Sequence, residues 1–174
     1  KIVGDNYENS SERYYGNNNV VGPDAGHGSH VAGIIAATRG NNIGLDGVAD
    51  HVKIMVVRVV PDGDERDKDV ANGIRYAVDN GARIVNMSFG KGFSWDKNIV
   101  DSAVAYAESK GVLLVHAAGN NNSNNDLIPN YPNDTLWNGT HTASNWIEIG
   151  ASQPKCKMLA TSFSNYGKNN VDLF

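Results

Sequence analysis

The chain has 174 residues, 40% of them hydrophobic and 20% charged, enough for one globular domain with a core of its own. A formal net charge of −4 argues against nucleic acid or an anionic membrane as a partner, because both demand a basic face. No apolar run approaches the ~20 residues that span a bilayer. The single cysteine, Cys156, excludes an internal disulfide and leaves the redox compartment unread.

Lys1-Ile2-Val3-Gly4 reads as a short strand, and a start without Met or signal peptide fits a processed or excised piece. Residues 5–26, rich in Asn, Gly, Ser and Tyr, read as a long surface loop. Asp24 stands three residues before His27, where it can cap a helix. From His27 to Ala37 the chain is apolar and small, HGSHVAGIIAA, which predicts a helix buried on most sides. Gly28 and Gly33 each cost about 1 kcal/mol against alanine inside a helix, so close packing is the expected compensation. After a loop over 38–47, His51–Val60 reads as a buried, β-branched strand broken by Pro61-Asp62-Gly63.

Val70, Gly73, Ile74 and Ala77 recur at helical spacing and predict a helix over 67–79, stopped at Gly81. Residues 82–88 read as a strand, 96–110 as a second amphipathic helix ended by Gly111, and 112–118 as a strand ending in Gly119-Asn120. Residues 121–145 are polar and irregular with a Tyr131-Pro132 turn, 146–150 a strand, 152–168 a loop, and 171–174 a final strand. Strands alternating with helices at these spacings imply right-handed βαβ units and an α/β fold with a parallel sheet. In such a sheet, sites form at the carboxyl ends of the strands. Those ends are Asp62-Gly63, Ser88-Phe89-Gly90 and Gly119-Asn120.

Three segments carry a resemblance. His27-Gly28-Ser29-His30-Val31-Ala32-Gly33 resembles the histidine motif of the subtilisin-like serine proteases, the subtilase family. Asn86-Met87-Ser88-Phe89-Gly90 resembles that family's substrate-binding strand, and Ala117-Ala118-Gly119-Asn120 the strand end that bears its oxyanion-hole asparagine. The three stand in the family's order, with weaker agreement over nearly the whole chain. The resemblance implies a three-layer α/β fold with a mainly parallel sheet. It implies a serine endopeptidase that cuts peptide or protein substrates with an Asp-His-Ser triad, needs no cofactor for the chemistry, and is exported or held at the cell surface.

The resemblance also distributes roles. His27 is the general base, taking the nucleophile's proton and returning it to the leaving amine. His30 packs behind the site. Asn120 is the oxyanion donor. Ser88, Phe89 and Gly90 form one wall of the first specificity pocket, and Ala117, Ala118 and Gly119 the other, their small size leaving room for a bulky substrate side chain. Asp62, Gly63 and Asp64 follow the edge that pairs with extended substrate backbone. The 38–47 loop resembles one that holds a structural calcium ion in the family. Here Gly40-Asn41-Asn42-Ile43-Gly44 offers carbonyls and two amides, whereas calcium also favours carboxylates. No metal site is assigned.

Two members of the triad have no counterpart. The family runs Asp, His, Ser along the chain. No V-I-D-[ST]-G pattern precedes His27, and Asp5 falls where the family's following strand begins. No G-T-S-M-A helix start occurs, and Ser162 and Ser164 match a family loop instead. The expectation is the middle of a subtilase catalytic domain, lacking the N-terminal Asp strand and the C-terminal Ser helix and inactive by itself. In the family the Asp strand lies between the strands resembling 51–60 and 82–88. A piece without it exposes apolar surface, so self-association, capture of another strand or marginal stability is expected. Other classes remain open: a subtilase-like binding or scaffold module without catalysis, or a zinc pair at His27 and His30 that lacks a third ligand nearby. A nucleotide-binding domain finds no Gly-rich phosphate loop after any strand.

Overall fold

The computed structural model describes residues 3–61, 63–154 and 159–174. The sequence reads as one domain; the chain's contacts group it into two compact units, Lys1–Asn6 with Tyr14–Arg58, and Tyr7–Arg13 with Val59–Phe174.

The smaller unit holds one regular element among the described residues, helix α1, Gly26–Ala36. The helix forms as its sequence predicts, but its burial does not. None of its residues is buried, and Ile34 is 51% exposed. The reason is local: a helix hides an apolar face only against another element, and this unit supplies none. The N-cap position falls to Ala25, while the Asp24 carboxylate accepts the Gly26 N–H at 2.7 Å and so still satisfies one orphan donor. At the other end the chain folds back: the N–H groups of Val48 and Ala49 donate to the carbonyls of Ile34 and Ile35 at 2.9 and 2.8 Å. Gly47 makes this return fit, because a Cβ there would lie 2.3 Å from the Ala37 nitrogen.

Two expected strands are absent. Val3 and Gly4 form none, with Lys1 and Ile2 outside the described residues. Residues 51–60 form none either, and Val52, Ile54, Met55 and Val56 are exposed. β-Branched composition favours extended chain, but a strand exists only when a neighbour takes its hydrogen bonds, and no ladder reaches this segment among the described residues.

The larger unit follows the sequence closely. Helix α2 spans Asp67–Asp79, strand β1 Ile84–Met87, helix α3 Lys97–Ser109, strand β2 Leu113–Ala117 and strand β5 Trp146–Ile149, with a small antiparallel pair, β3 (Thr135–Leu136) and β4 (His141–Thr142), inside the irregular stretch. Strands β1, β2 and β5 pair in parallel in that order. Val70 and Ile74 of α2 and Val100 and Val104 of α3 pack with Met87, Leu114 and Trp146 of the sheet into one core. Burying each such aliphatic side chain is worth ~1.5–3 kcal/mol. In β2 the buried residues are Leu114 and His116, with Leu113, Val115 and Ala117 only half-buried, so one face of the sheet lies on the helices. Gly81, at φ +85°, ends α2 in the left-handed conformation that glycine adopts most readily.

Charge ties the helix starts together: Lys91 Nζ lies 2.7 Å from Asp67 Oδ1, and Asp67 Oδ2 accepts the Asp96 N–H at 2.6 Å. The expected last strand is a single parallel bridge, Leu173 to Ile149. The outer edge of β1 has no strand partner among the described residues, and Ile84 there is 62% exposed.

Candidate active site

Adjacent parallel strands deliver their carboxyl ends side by side, and β1 and β2 do so in register, Met87 opposite His116. Ser88-Phe89-Gly90 therefore leaves the sheet beside Ala117-Ala118-Gly119. Ala118 is fully buried, Ala117 and Gly119 half-buried and Asn120 exposed. Phe89 stands edge-on to His116, ring centres 6.3 Å apart.

One residue that the sequence reading passed over spans the two walls. Asn130 donates through Nδ2 to the carbonyls of Ala117 at 2.9 Å and Ala118 at 3.2 Å. Its Oδ1 lies 2.7 Å from where a Cβ on Gly90 would be, so Gly90 is glycine because the Asn130 amide stands against it. Lys91 and Tyr131 exchange backbone hydrogen bonds of 3.0 and 2.9 Å, which hold the Asn130 loop to the end of β1. The one local signal was the Tyr131-Pro132 turn beside it.

The Asn120 amide makes no hydrogen bond among the described residues, which leaves it available as a donor. Its backbone, by contrast, is clamped. Gly119, at φ +108°, could carry no Cβ, since Asn165 Nδ2 lies 2.6 Å from that position. The Asn165 N–H donates to the Gly119 carbonyl at 2.8 Å, and Asn165 Oδ1 accepts the N–H groups of Asn121 at 2.8 Å and Ser123 at 3.1 Å. Asn165 Nδ2 donates to Asn125 Oδ1 at 3.0 Å, and Asn125 Nδ2 to the Ala118 carbonyl at 2.9 Å.

Behind the walls lies a buried polar group. His116 Nδ1 is 2.8 Å from Glu148 Oε2, which also accepts the Trp146 indole N–H at 2.9 Å. Glu148, Asp134, Asp172, Asn130 and Tyr131 line a cavity of about 320 Å³. The Asp134 carboxyl is pushed up by burial first, then by the charges of Asp172 and Glu148.

The remaining expected residues belong to other segments of the chain. His27 lies in the first turn of α1, exposed, in the smaller unit. His30 is exposed as well, not packed behind other groups, for the reason that leaves all of α1 uncovered. Gly63 and Asp64 are exposed loop residues, with no strand before them to offer a pairing edge; Asp62 lies outside the described residues. Ser164 is buried with its hydroxyl committed both ways, accepting the Ala151 N–H at 2.8 Å and donating to the Asn165 carbonyl at 2.9 Å.

In the 40–47 loop, Asn41 Oδ1 accepts the Ile43 N–H and Asp46 Oδ1 the Gly40 N–H, at 2.9 and 3.0 Å. These oxygens close the turn on itself. No group of three or more metal-ligating side chains occurs among the described residues.

Known proteins resemble this arrangement. The model of the Subtilase family matches residues 3–174. Thermitase of Thermoactinomyces vulgaris is 39% identical over 170 residues, 96% of this chain and 53% of that protein. The cell wall-associated protease of Bacillus subtilis (strain 168) is 36% identical over 156 residues, 89% of this chain and 16% of that one. Among solved structures, a serine-to-alanine mutant of the protease domain of PatA superposes with a TM-score of 0.69 at 26% identity, covering 90% of this chain and 54% of that one. The chain thus spans about half the length of these relatives or less. A parallel sheet with the Ser88-Phe89-Gly90 and Ala117–Asn120 segments side by side at its carboxyl end, and a family match over nearly every residue, place this chain in the subtilase family of serine proteases.

Proposed function

We propose that this chain is the central part of a subtilisin-like serine endopeptidase, in which it supplies the general base, the oxyanion donor and the first specificity pocket. The observation that carries the reading is the pairing of β1 with β2, which sets Ser88–Gly90 and the small residues Ala117–Gly119 beside an exposed asparagine amide with no partner among the described residues. An amide free to donate from a strand end whose backbone is held is what a developing oxyanion needs. A substrate side chain seated between Ser88–Gly90 and Ala117–Gly119 meets the neutral polar end of Asn130, so the pocket suits a sizeable uncharged side chain. His27 takes the proton of the attacking serine and passes it to the leaving amine.

The serine and the aspartate that orients His27 come from elsewhere in the full-length protein, and the chain alone does not hydrolyse peptides. Loss of the nucleophile removes nearly all the chemistry because the effects of the triad are not additive. The substrate is peptide or protein, and the chemistry uses no cofactor. Matches to proteins named as cell wall-associated and extracellular proteases support an exported location. No described helix is long and apolar enough to cross a membrane.

The test is a fluorogenic peptide assay with an active-site-serine probe, applied to this chain and to the full-length protein. Hydrolysis and labelling by the full-length protein alone, both abolished by His27→Ala and labelling lost on mutation of the serine, is the expected result. A folded but inert full-length protein would turn the reading toward a binding module. Activity in the short chain would refute the account of the missing groups.

A further inference from the structure

We infer that Asn165 is the positioning residue of the oxyanion hole: it fixes the direction of Asn120 by gripping the peptide groups on either side of it. The inference rests on the protease reading and adds a residue to it. The turn after β2 has no sheet ladder to hold it. Its polar backbone groups go instead to the 163–166 segment, and those flanking Asn120 go to Asn165. Before Asn120, the Gly119 carbonyl accepts the Asn165 N–H; after it, the Asn121 and Ser123 N–H groups converge on Asn165 Oδ1. The second amide atom closes the circuit, from Asn165 Nδ2 to Asn125 Oδ1 and from Asn125 Nδ2 to the Ala118 carbonyl.

Asn165 is 5% exposed, and both atoms of its amide are engaged. A buried asparagine satisfied in this way is held by its hydrogen bonds, and so is the turn built around it. Neighbouring backbone bonds run the 163–166 segment along the turn: Asn122 N–H to the Phe163 carbonyl at 2.9 Å, Tyr166 N–H to the Ser123 carbonyl at 3.0 Å and Asn125 N–H to the Tyr166 carbonyl at 2.7 Å.

Gly119 completes the argument, since the place of its Cβ is taken by the Asn165 amide. Among the described residues the Asn120 side chain has no partner to aim it. An oxyanion donor works only when it is already in place, and an error of about 1 Å in placing a catalytic group costs on the order of 10²-fold in rate. The backbone grip is what supplies that placement.

The experiment uses the full-length protein with Asn165→Ala and Asn165→Asp, each in the native and in the Asn120→Ala background, reading kcat and KM on a fluorogenic peptide and the melting temperature. Expected is a loss of ~10-fold to ~100-fold in kcat for Asn165→Ala, with KM little changed. Asn165→Asp keeps the acceptor for both N–H groups and loses less. In the Asn120→Ala background both losses shrink to near nothing, because a residue that acts only by aiming Asn120 has nothing left to aim. A purely structural residue would lower the melting temperature and multiply its kinetic loss with that of Asn120→Ala. That outcome, a loss falling on KM, or unchanged kcat would overturn the inference. Should Asn165→Ala fail to fold, the same comparison with Asn165→Asp decides. If the unaltered full-length protein cleaves no peptide, the protease reading and this inference fall together; if it cleaves and Asn165 is kinetically neutral, the inference falls alone.

Discussion

At the scale of single residues, the glycines of the site are explained by asparagines far from them in sequence. Gly119 faces Asn165 and Gly90 faces Asn130. Gly119→Ala would combine a left-handed backbone with a clash against a fully bonded amide, so it should destabilise the protein by ~1–3 kcal/mol in denaturant unfolding. Asn130→Ala would open the space between the walls and leave the Ala117 carbonyl without its side-chain donor, while the Ala118 carbonyl keeps Asn125 Nδ2. We expect the ratio of kcat/KM for a bulky over a small residue at the cleavage site to rise about 10-fold, read from a matched peptide pair; an unchanged ratio would show that Asn130 does not bound the pocket. The motifs that contain His27 and Asn120 were legible in the sequence because each is contiguous. Asn130 and Asn165 were not, because what gives them meaning is contact with residues 12 and 44 positions away, Ala118 and Asn121, and no local pattern encodes that.

At the scale of elements, the legible ones carry their own evidence. Helices α2 and α3 bury one face each at helical spacing, and the periodicity of that face is in the sequence. The segment 51–60 and the burial of α1 were misread because both depend on a covering partner, which composition implies but does not supply. The C-terminal turn of α3 offers a test of how elements are tied. Glu108 sits where a helix dipole disfavours an acid. Its carboxylate is compensated by the Ser144 N–H and hydroxyl, both at 2.7 Å, and by His141 Nε2 at 2.7 Å. The Ser144 backbone bond foremost, then His141, holds its pKa down at about 2. A folded-state pKa below the unfolded value means stability that is present above about pH 4.3 and is lost as pH falls through about 2. Denaturant midpoints should therefore drop between those values. In Glu108→Gln the midpoint should be lower at neutral pH and this part of the acid dependence absent; an unchanged acid slope would detach Glu108 from the anchoring of residues 141–144.

At the scale of the whole molecule, the fold class followed from the strand and helix alternation, and the family from three ordered motifs, whereas the division into two compact units was invisible to the sequence. Each unit shows apolar surface that a folded protein ordinarily hides. In the larger unit it is the free edge of β1, with Ile84 at 62% exposure; in the smaller it is Val52, Ile54, Met55 and Val56, each more than 40% exposed. A strand edge with unpaired N–H and C=O groups and an apolar side chain is a template for another strand. In the full-length protein we expect that edge to be covered by a strand of the same chain. Taken alone, residues 1–174 should then associate. Sedimentation velocity over a range of concentrations should show species larger than the 18.7 kDa monomer, and Ile84→Lys should shift the distribution toward monomer, because a charge on an open edge is costly to bury between two chains. A chain that stays monomeric at every concentration would mean that β1 tolerates its open edge. Association unaffected by Ile84→Lys would move the sticky surface to residues 52–56, where Val56→Lys is the corresponding test.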